Sequence, residues 1–161
     1  MTNYEQRIKC RGRELAVAGL RQASHGTDGI PRGGGDVPMK VLISIKPDFV
    51  ERIFSGEKKY EFRKRNFSRC VNNVVVYSCA PVGRVVGEFS IGGVLEGTPN
   101  EIWRKCRQFA GITKKEFNVY FSGRSVAYAI EIHSIVRYPK KLLLSETYHC
   151  SPPQSFIYIR G

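Results

Sequence analysis

The strongest constraint on the fold is how short, alternating apolar segments are punctuated along residues 39–161. Lys40 to Ile45 alternates as a β-branched strand and runs straight into Pro47, a residue suited to the first helical position. A helix is expected from Pro47 to Ser55. Phe49, Val50, Ile53 and Phe54 form its apolar stripe, Asp48 suits its positive start and Gly56 stops it. Val71 to Ser78 is a valine-rich strand, Cys79 to Gly83 a turn and Arg84 to Ile91 the next strand. Gly92-Gly93 permits a bulge or bend there. Two helix-start boxes follow, Thr98-Pro-Asn-Glu101 and Thr113-Lys-Lys-Glu116. The first opens a stripe of Ile102, Trp103, Cys106, Phe109 and Ala110; the second helix ends at Gly123. Val126 to Arg137 is a long strand, Leu142 to Leu144 a short apolar piece, and Phe156 to Arg160 a last strand after Pro152-Pro153. Five or so strands and about three short helices, out of βαβ order, predict an α+β fold: a small β-barrel decorated by helices.

Residues 1–38 read differently. Gln22 to Pro38 is rich in Gly, Ser, Asp and Pro, and Tyr4 to Leu20 carries only a poor helical stripe. A flexible N-terminal extension is expected over 1–38, and a single domain over 39–161. A docked N-terminal helix is the rival. Charge divides the same way. The chain carries a formal +12, yet residues 1–38 hold six Lys/Arg against four Asp/Glu, leaving +10 for the remainder. A basic domain favours polyanionic partners, nucleic acid first. No run of about 18 apolar residues is present, so no membrane partner or span is expected. Five scattered cysteines without a C-x-x-C pair are expected to be reduced thiols, which suits a cytoplasmic setting. His25, His133 and His149 lack ligand spacing, so neither a metal nor another cofactor is expected.

The densest chemistry lies in Ser55-Gly-Glu-Lys-Lys-Tyr-Glu-Phe-Arg-Lys-Arg65. If Tyr60 to Lys64 is extended, Tyr60, Phe62 and Lys64 point one way, and Glu61, Arg63 and Arg65 the other. Lys58 lies three residues before Glu61. This set can grip an anionic ligand, or be a solvated charge run. Lys58 with Glu61 can also serve acid–base chemistry, or form an ion pair that holds the loop. No Gly-x-Ser-x-Gly elbow accompanies Ser78 or Ser155.

Gly56-x-Lys58-x-x-Glu61-x-Arg63 resembles the signature of the activating-signal-cointegrator homology (ASCH) domain, within the PUA-like superfamily. Further matching stretches are Leu42 to Pro47, Val75 to Ser78, Pro81-Val82, Val86 to Phe89, Ile102-Trp103, Tyr120 to Gly123, Ala127 to Ile130 and Pro152 to Phe156. The resemblance covers Met39 to Gly161. It implies a PUA-like barrel with a cleft beside it, and RNA or a nucleotide-like ligand as partner. Lys46, Lys58, Arg63 and Arg65 are the phosphate candidates, and Arg63 also a base-edge candidate. Glu61 is the hydrogen-bond acceptor. Tyr77 and Tyr128 (with Tyr60) are stacking or core residues, and Ser78, Gln154 and Ser155 polar candidates. The family also implies two alternatives: a hydrolase on modified nucleosides or RNA using Lys58 and Glu61, and a protein-interaction or transcription-coregulator module. Amidohydrolase relatives carry a threonine where this chain has Glu61. They also carry a glutamate where alignment places Ala110 or Gly111.

Overall fold

The computed structural model describes residues 39–159 in full, together with the backbone of two short strands, β1 (Arg7–Cys10) and β2 (Arg13–Ala16). These pair antiparallel, with Cys10 opposite Arg13. At the described positions a hairpin therefore stands in place of the helix that was the rival reading for Tyr4 to Leu20. Its register leaves two residues between the strands, a common hairpin spacing. The rest of the expected extension lies outside the described residues.

From Met39 the elements are β3 (Met39–Ile45), α1 (Pro47–Phe54), β4 (Tyr60–Arg63), β5 (Val71–Ser78) and β6 (Arg84–Gly97). They continue with α2 (Pro99–Cys106), a 3₁₀ turn (Arg107–Phe109), α3 (Lys114–Tyr120), β7 (Ala127–Leu142), α4 (Leu144–Tyr148) and β8 (Phe156–Ile159). Both helix-start boxes form. Thr98 and Thr113 each accept from the backbone N–H three residues on, while Glu101 and Glu116 accept from the cap residues' own N–H groups. The expected three helices are joined by a fourth, α4, which has no side-chain cap to announce it.

Six strands form one mixed sheet in the order β4-β7-β6-β5-β3-β8, with β3 and β5 parallel and the other pairs antiparallel. The two outer strands, β4 and β8, do not pair. The α+β class holds, while the expected small β-barrel is seen as a sheet that is not closed, with a seam between these two strands. Gly92-Gly93 marks a register shift rather than an end, and β6 runs on to Gly97. Phe89, Ile130 and the β3 residues Val41 and Ile43 build the largest apolar cluster, which α1 covers with Val50 and Ile53. A second cluster lies under α2 and α3, where Phe62, Phe117 and Phe121 meet edge to face or tilted at 4.7–6.5 Å. A third joins Leu42, Val75, Tyr77, Val85, Leu144 and Ile159.

Among the described cysteines, Cys79, Cys106 and Cys150 are free, but Cys70 is disulfide-bonded. The expectation of five free thiols fails there. No helix among the described residues is long and apolar enough to cross a membrane.

Candidate functional site

β4 is four residues long and alternates as its sequence requires: Phe62 enters the cluster under α2 and α3, while Glu61 and Arg63 turn to the other face. Both charged residues are buried, at 6% and 7% exposure, so the solvated-run reading does not describe them. Arg63 Nη2 meets Glu61 Oε1 at 2.8 Å. The same guanidinium spans the seam: Nη2 donates to the Ser44 carbonyl of β3 at 3.1 Å, and Nη1 to the Ser155 carbonyl before β8 at 3.4 Å. Its Nε–H is the one buried side-chain polar atom without a hydrogen-bond partner among the described residues.

Lys58 completes the cluster from the loop before β4. It is 2% exposed. Its ammonium donates to the Ala110 carbonyl at 3.0 Å, lies 3.7 Å from Glu61 Oε2, and sits over the rings of Phe62 (4.6 Å) and Phe49 (5.6 Å). Burial pushes its pKa below the ordinary 10.5; Glu61 opposes this and Arg63 adds to it. Two cations face one carboxylate, so the buried group carries an excess of positive charge.

A strap over residues 107–113 covers Lys58. Lys59 N–H donates to the Phe109 carbonyl at 2.9 Å, and Arg52 Nη1 donates to the Gly111 carbonyl at 2.7 Å. Gly111 has φ +61, and a Cβ there would lie 2.5 Å from Lys58 Cβ. Only glycine permits both the turn and this approach. Ala110 and Gly111, the two residues expected to align with the glutamate of amidohydrolase relatives, both lie against Lys58, and Ala110 offers it a backbone carbonyl.

The remaining candidates divide. Tyr128, half-buried on β7, is the register partner of Arg63 and shares its face. Ser155 contributes its carbonyl, and Gln154 beside it is exposed. Lys46 is exposed at the start of α1, and Arg65 is exposed in the bend after β4, outside the buried cluster. Tyr77 is built into the third apolar cluster, and Ser78 is buried opposite Ile45 at the end of β5. Four contributors escape a reading by residue type. Ser44 and Ala110 act through carbonyls, Gly111 through lacking a side chain, and Tyr120 through position. Tyr120, 38% exposed on α3, is held by the backbone of Lys64; burial raises its pKa, and the charges of Arg63 and Glu61 act on it. It lay within a stretch matching the family, yet nothing local marked it as adjacent to Arg63. No three His, Cys, Asp or Glu side chains among the described residues are grouped to hold a metal ion.

No protein-family model matches the chain. Over 121 residues it is 32% identical to the large ribosomal subunit protein uL22 of Ureaplasma parvum, covering 74% of this chain but only 39% of that protein's length. Over 131 residues it is 28% identical to an ASCH domain-containing ribonuclease of Zymomonas mobilis, covering 78% of this chain and 88% of that protein. The crystal structure of ASCH from Zymomonas mobilis superposes with a TM-score of 0.70 at 26% identity, covering 76% of this chain and 88% of that one. On this agreement of sequence and fold, the chain belongs to the ASCH domain proteins.

Proposed function

We propose that residues 39–161 form an RNA-binding domain that grips a phosphate or base edge of RNA, or of a nucleotide-like ligand, at the seam beside Arg63. One observation carries this reading: a buried, net-cationic Lys58–Glu61–Arg63 cluster with an unsatisfied Arg63 Nε–H, placed where the sheet is open. A buried donor without a partner is costly unless something else satisfies it. An anionic oxygen meets both that donor and the charge excess. The relative named as a ribonuclease supports RNA as the class of partner. Fluorescence anisotropy tests the proposal on the full chain and on one starting at Met39. Single-stranded RNA is expected to bind more tightly than duplex DNA, with affinity falling as salt rises. Arg63→Ala should weaken binding and blunt any base preference. Equal affinity for heparin would sink it.

A second reading, RNA cleavage, rests on Lys58. A general base must shed its proton, and at Lys58 burial outweighs the opposing pull of Glu61. A neutral amine beside a bound ribose can accept a hydroxyl proton. Product on a denaturing gel that vanishes with Lys58→Ala favours cleavage; binding without product favours the reader. With Glu61 in place of threonine and a carbonyl at Ala110, no cytidine release from N4-acetylcytidine is expected. An RNA-directed role suggests the cytoplasm. The Cys70 disulfide argues for an oxidising setting instead, and thiol trapping in cells decides between them.

A further inference from the structure

We propose that the connection between β4 and β5, residues 64–70, is a second nucleotide-binding surface, a cationic strip that carries single-stranded RNA flanking the nucleotide at the seam. The proposal rests on the RNA reading above and extends it beyond the buried cluster. The segment Lys64-Arg-Asn-Phe-Ser-Arg-Cys70 holds three cations and no acid. Arg65 and Arg69 are exposed and Lys64 half-buried, and no carboxylate among the described residues pairs with any of them.

Two tyrosines from other elements order two of these cations. Lys64 Nζ lies 4.7 Å from the ring centre of Tyr120 on α3, and the Arg69 guanidinium lies 5.2 Å from that of Tyr158 on β8. The Tyr158 hydroxyl is in turn fixed by the backbone N–H groups of Ser68 (2.8 Å) and Arg69 (3.2 Å) and lies 3.0 Å from Ser68 Oγ. Arg69 Nη1 also points at Met39 Sδ, at 3.3 Å. Phe67 packs edge-on against Phe156, and Phe156 against Tyr158. These contacts hold the strip along β8. Arg69 is thereby pre-ordered over the Tyr158 ring, and as an exposed residue it has a guanidinium plane that a ligand can meet. That plane suits an unstacked base, and its edge a phosphate.

The strip joins the seam at both ends of one contact. Lys64 follows Arg63 directly, and Phe156 follows Ser155, whose carbonyl Arg63 holds. Ser155 and Tyr158 are three residues apart, about 10 Å along an extended chain. A strand of RNA leaving the seam along β8 therefore reaches Arg69. Duplex bases are already stacked on each other, so the aromatic and guanidinium planes favour single strands.

The test compares three-nucleotide and twelve-nucleotide uridine oligomers on the full chain, with wild type, Lys64→Gln/Arg69→Gln and Arg63→Ala matched for melting temperature. The double variant is expected to leave the short oligomer's affinity unchanged and to weaken the long one about tenfold. Its salt dependence should become shallower by about 1.4 in log–log slope, two phosphates at about 0.7 each. Arg69→Lys should keep the slope and lose affinity through the lost stacking plane. If the double variant binds the long oligomer as wild type does, while Arg63→Ala weakens both oligomers, the strip is wrong and the seam stands. If Arg63→Ala weakens neither, the seam reading falls and the strip with it. An equal loss against duplex DNA and heparin would reduce the strip to a generic cationic surface and overturn it.

Discussion

Lys58 carries an ammonium where water scarcely reaches, and its surroundings explain why such a residue is tolerated. The Ala110 carbonyl, the Glu61 carboxylate and the Phe62 ring each recover part of the lost hydration. They do not recover all of it, because burial still holds its pKa below 10.5. The sign follows by linkage. Between the folded pKa and 10.5 the unfolded chain binds more protons than the folded one, so stability rises with pH across that window. The contribution is fully present above 10.5 and lost as pH falls through the folded value. Denaturant melts of wild type and Lys58→Met should therefore diverge with a positive slope in that window; parallel curves would mean that Lys58 is not desolvated. Glu61→Gln should behave differently. It leaves two buried cations without their counter-charge and should cost about 3–5 kcal/mol at neutral pH. A loss below about 1 kcal/mol would show that water or relaxation screens the cluster.

At the scale of elements, the strap decides whether Lys58 is accessible. α3 begins with Thr113 and its capping box, and Gly111 lies just before it, over Lys58. Thr113→Ala should lower stability by about 1 kcal/mol and leave the strap in place. Gly111→Ala combines a strained φ with a Cβ 2.5 Å from Lys58 Cβ, so the strap must move. A stability loss of about 1–3 kcal/mol is expected from the backbone strain alone. Acylation of Lys58, followed by mass spectrometry, should accelerate in Gly111→Ala and not in Thr113→Ala. Equal labelling would show that the strap is not what shields the amine. The sequence announced these elements unevenly. Both boxes were legible because a cap joins residues three apart. The alternation of β4 was legible because period two is local. α4 was not, since Leu143 offers no capping side chain. β7 was read as ending at Arg137, two residues before Pro139. The strand passes it through a register shift, with Gly87 opposite Arg137 and Val85 opposite Leu142. Gly111 was one of two residues that the resemblance set against the relatives' glutamate, but its contact with Lys58 depends on a neighbour 53 positions away, which no local pattern encodes.

For the whole molecule, the open sheet raises the question of what holds β4 near β8 when no ladder joins them. Strand order could not be read from sequence, because each strand's apolar pattern fits several neighbours and a cross-sheet arginine leaves no periodic trace. Arg63 makes the connection at one end, tying β4 to the Ser44 carbonyl of β3 and to the Ser155 carbonyl at the mouth of β8. Phe67 against Phe156, and Tyr158 against the backbone of Ser68 and Arg69, continue it. β8 has four residues and a single strand partner, β3, so, like β4 at the other edge, it is held less than the central strands. Replacing Arg63 by Met should release two carbonyls and leave Glu61 with Lys58 alone. Native-state hydrogen exchange should then speed up in β8 by about tenfold or more, while the central strands β5 and β6 keep their protection. Uniform acceleration across all strands would instead mean that Arg63 supports the global fold and not the seam. The same measurement links structure to binding. If RNA satisfies the Arg63 Nε–H, a saturating single-stranded oligomer should slow β8 exchange in wild type and leave Arg63→Met unchanged. A ligand that slows exchange equally in both would be binding somewhere other than the seam.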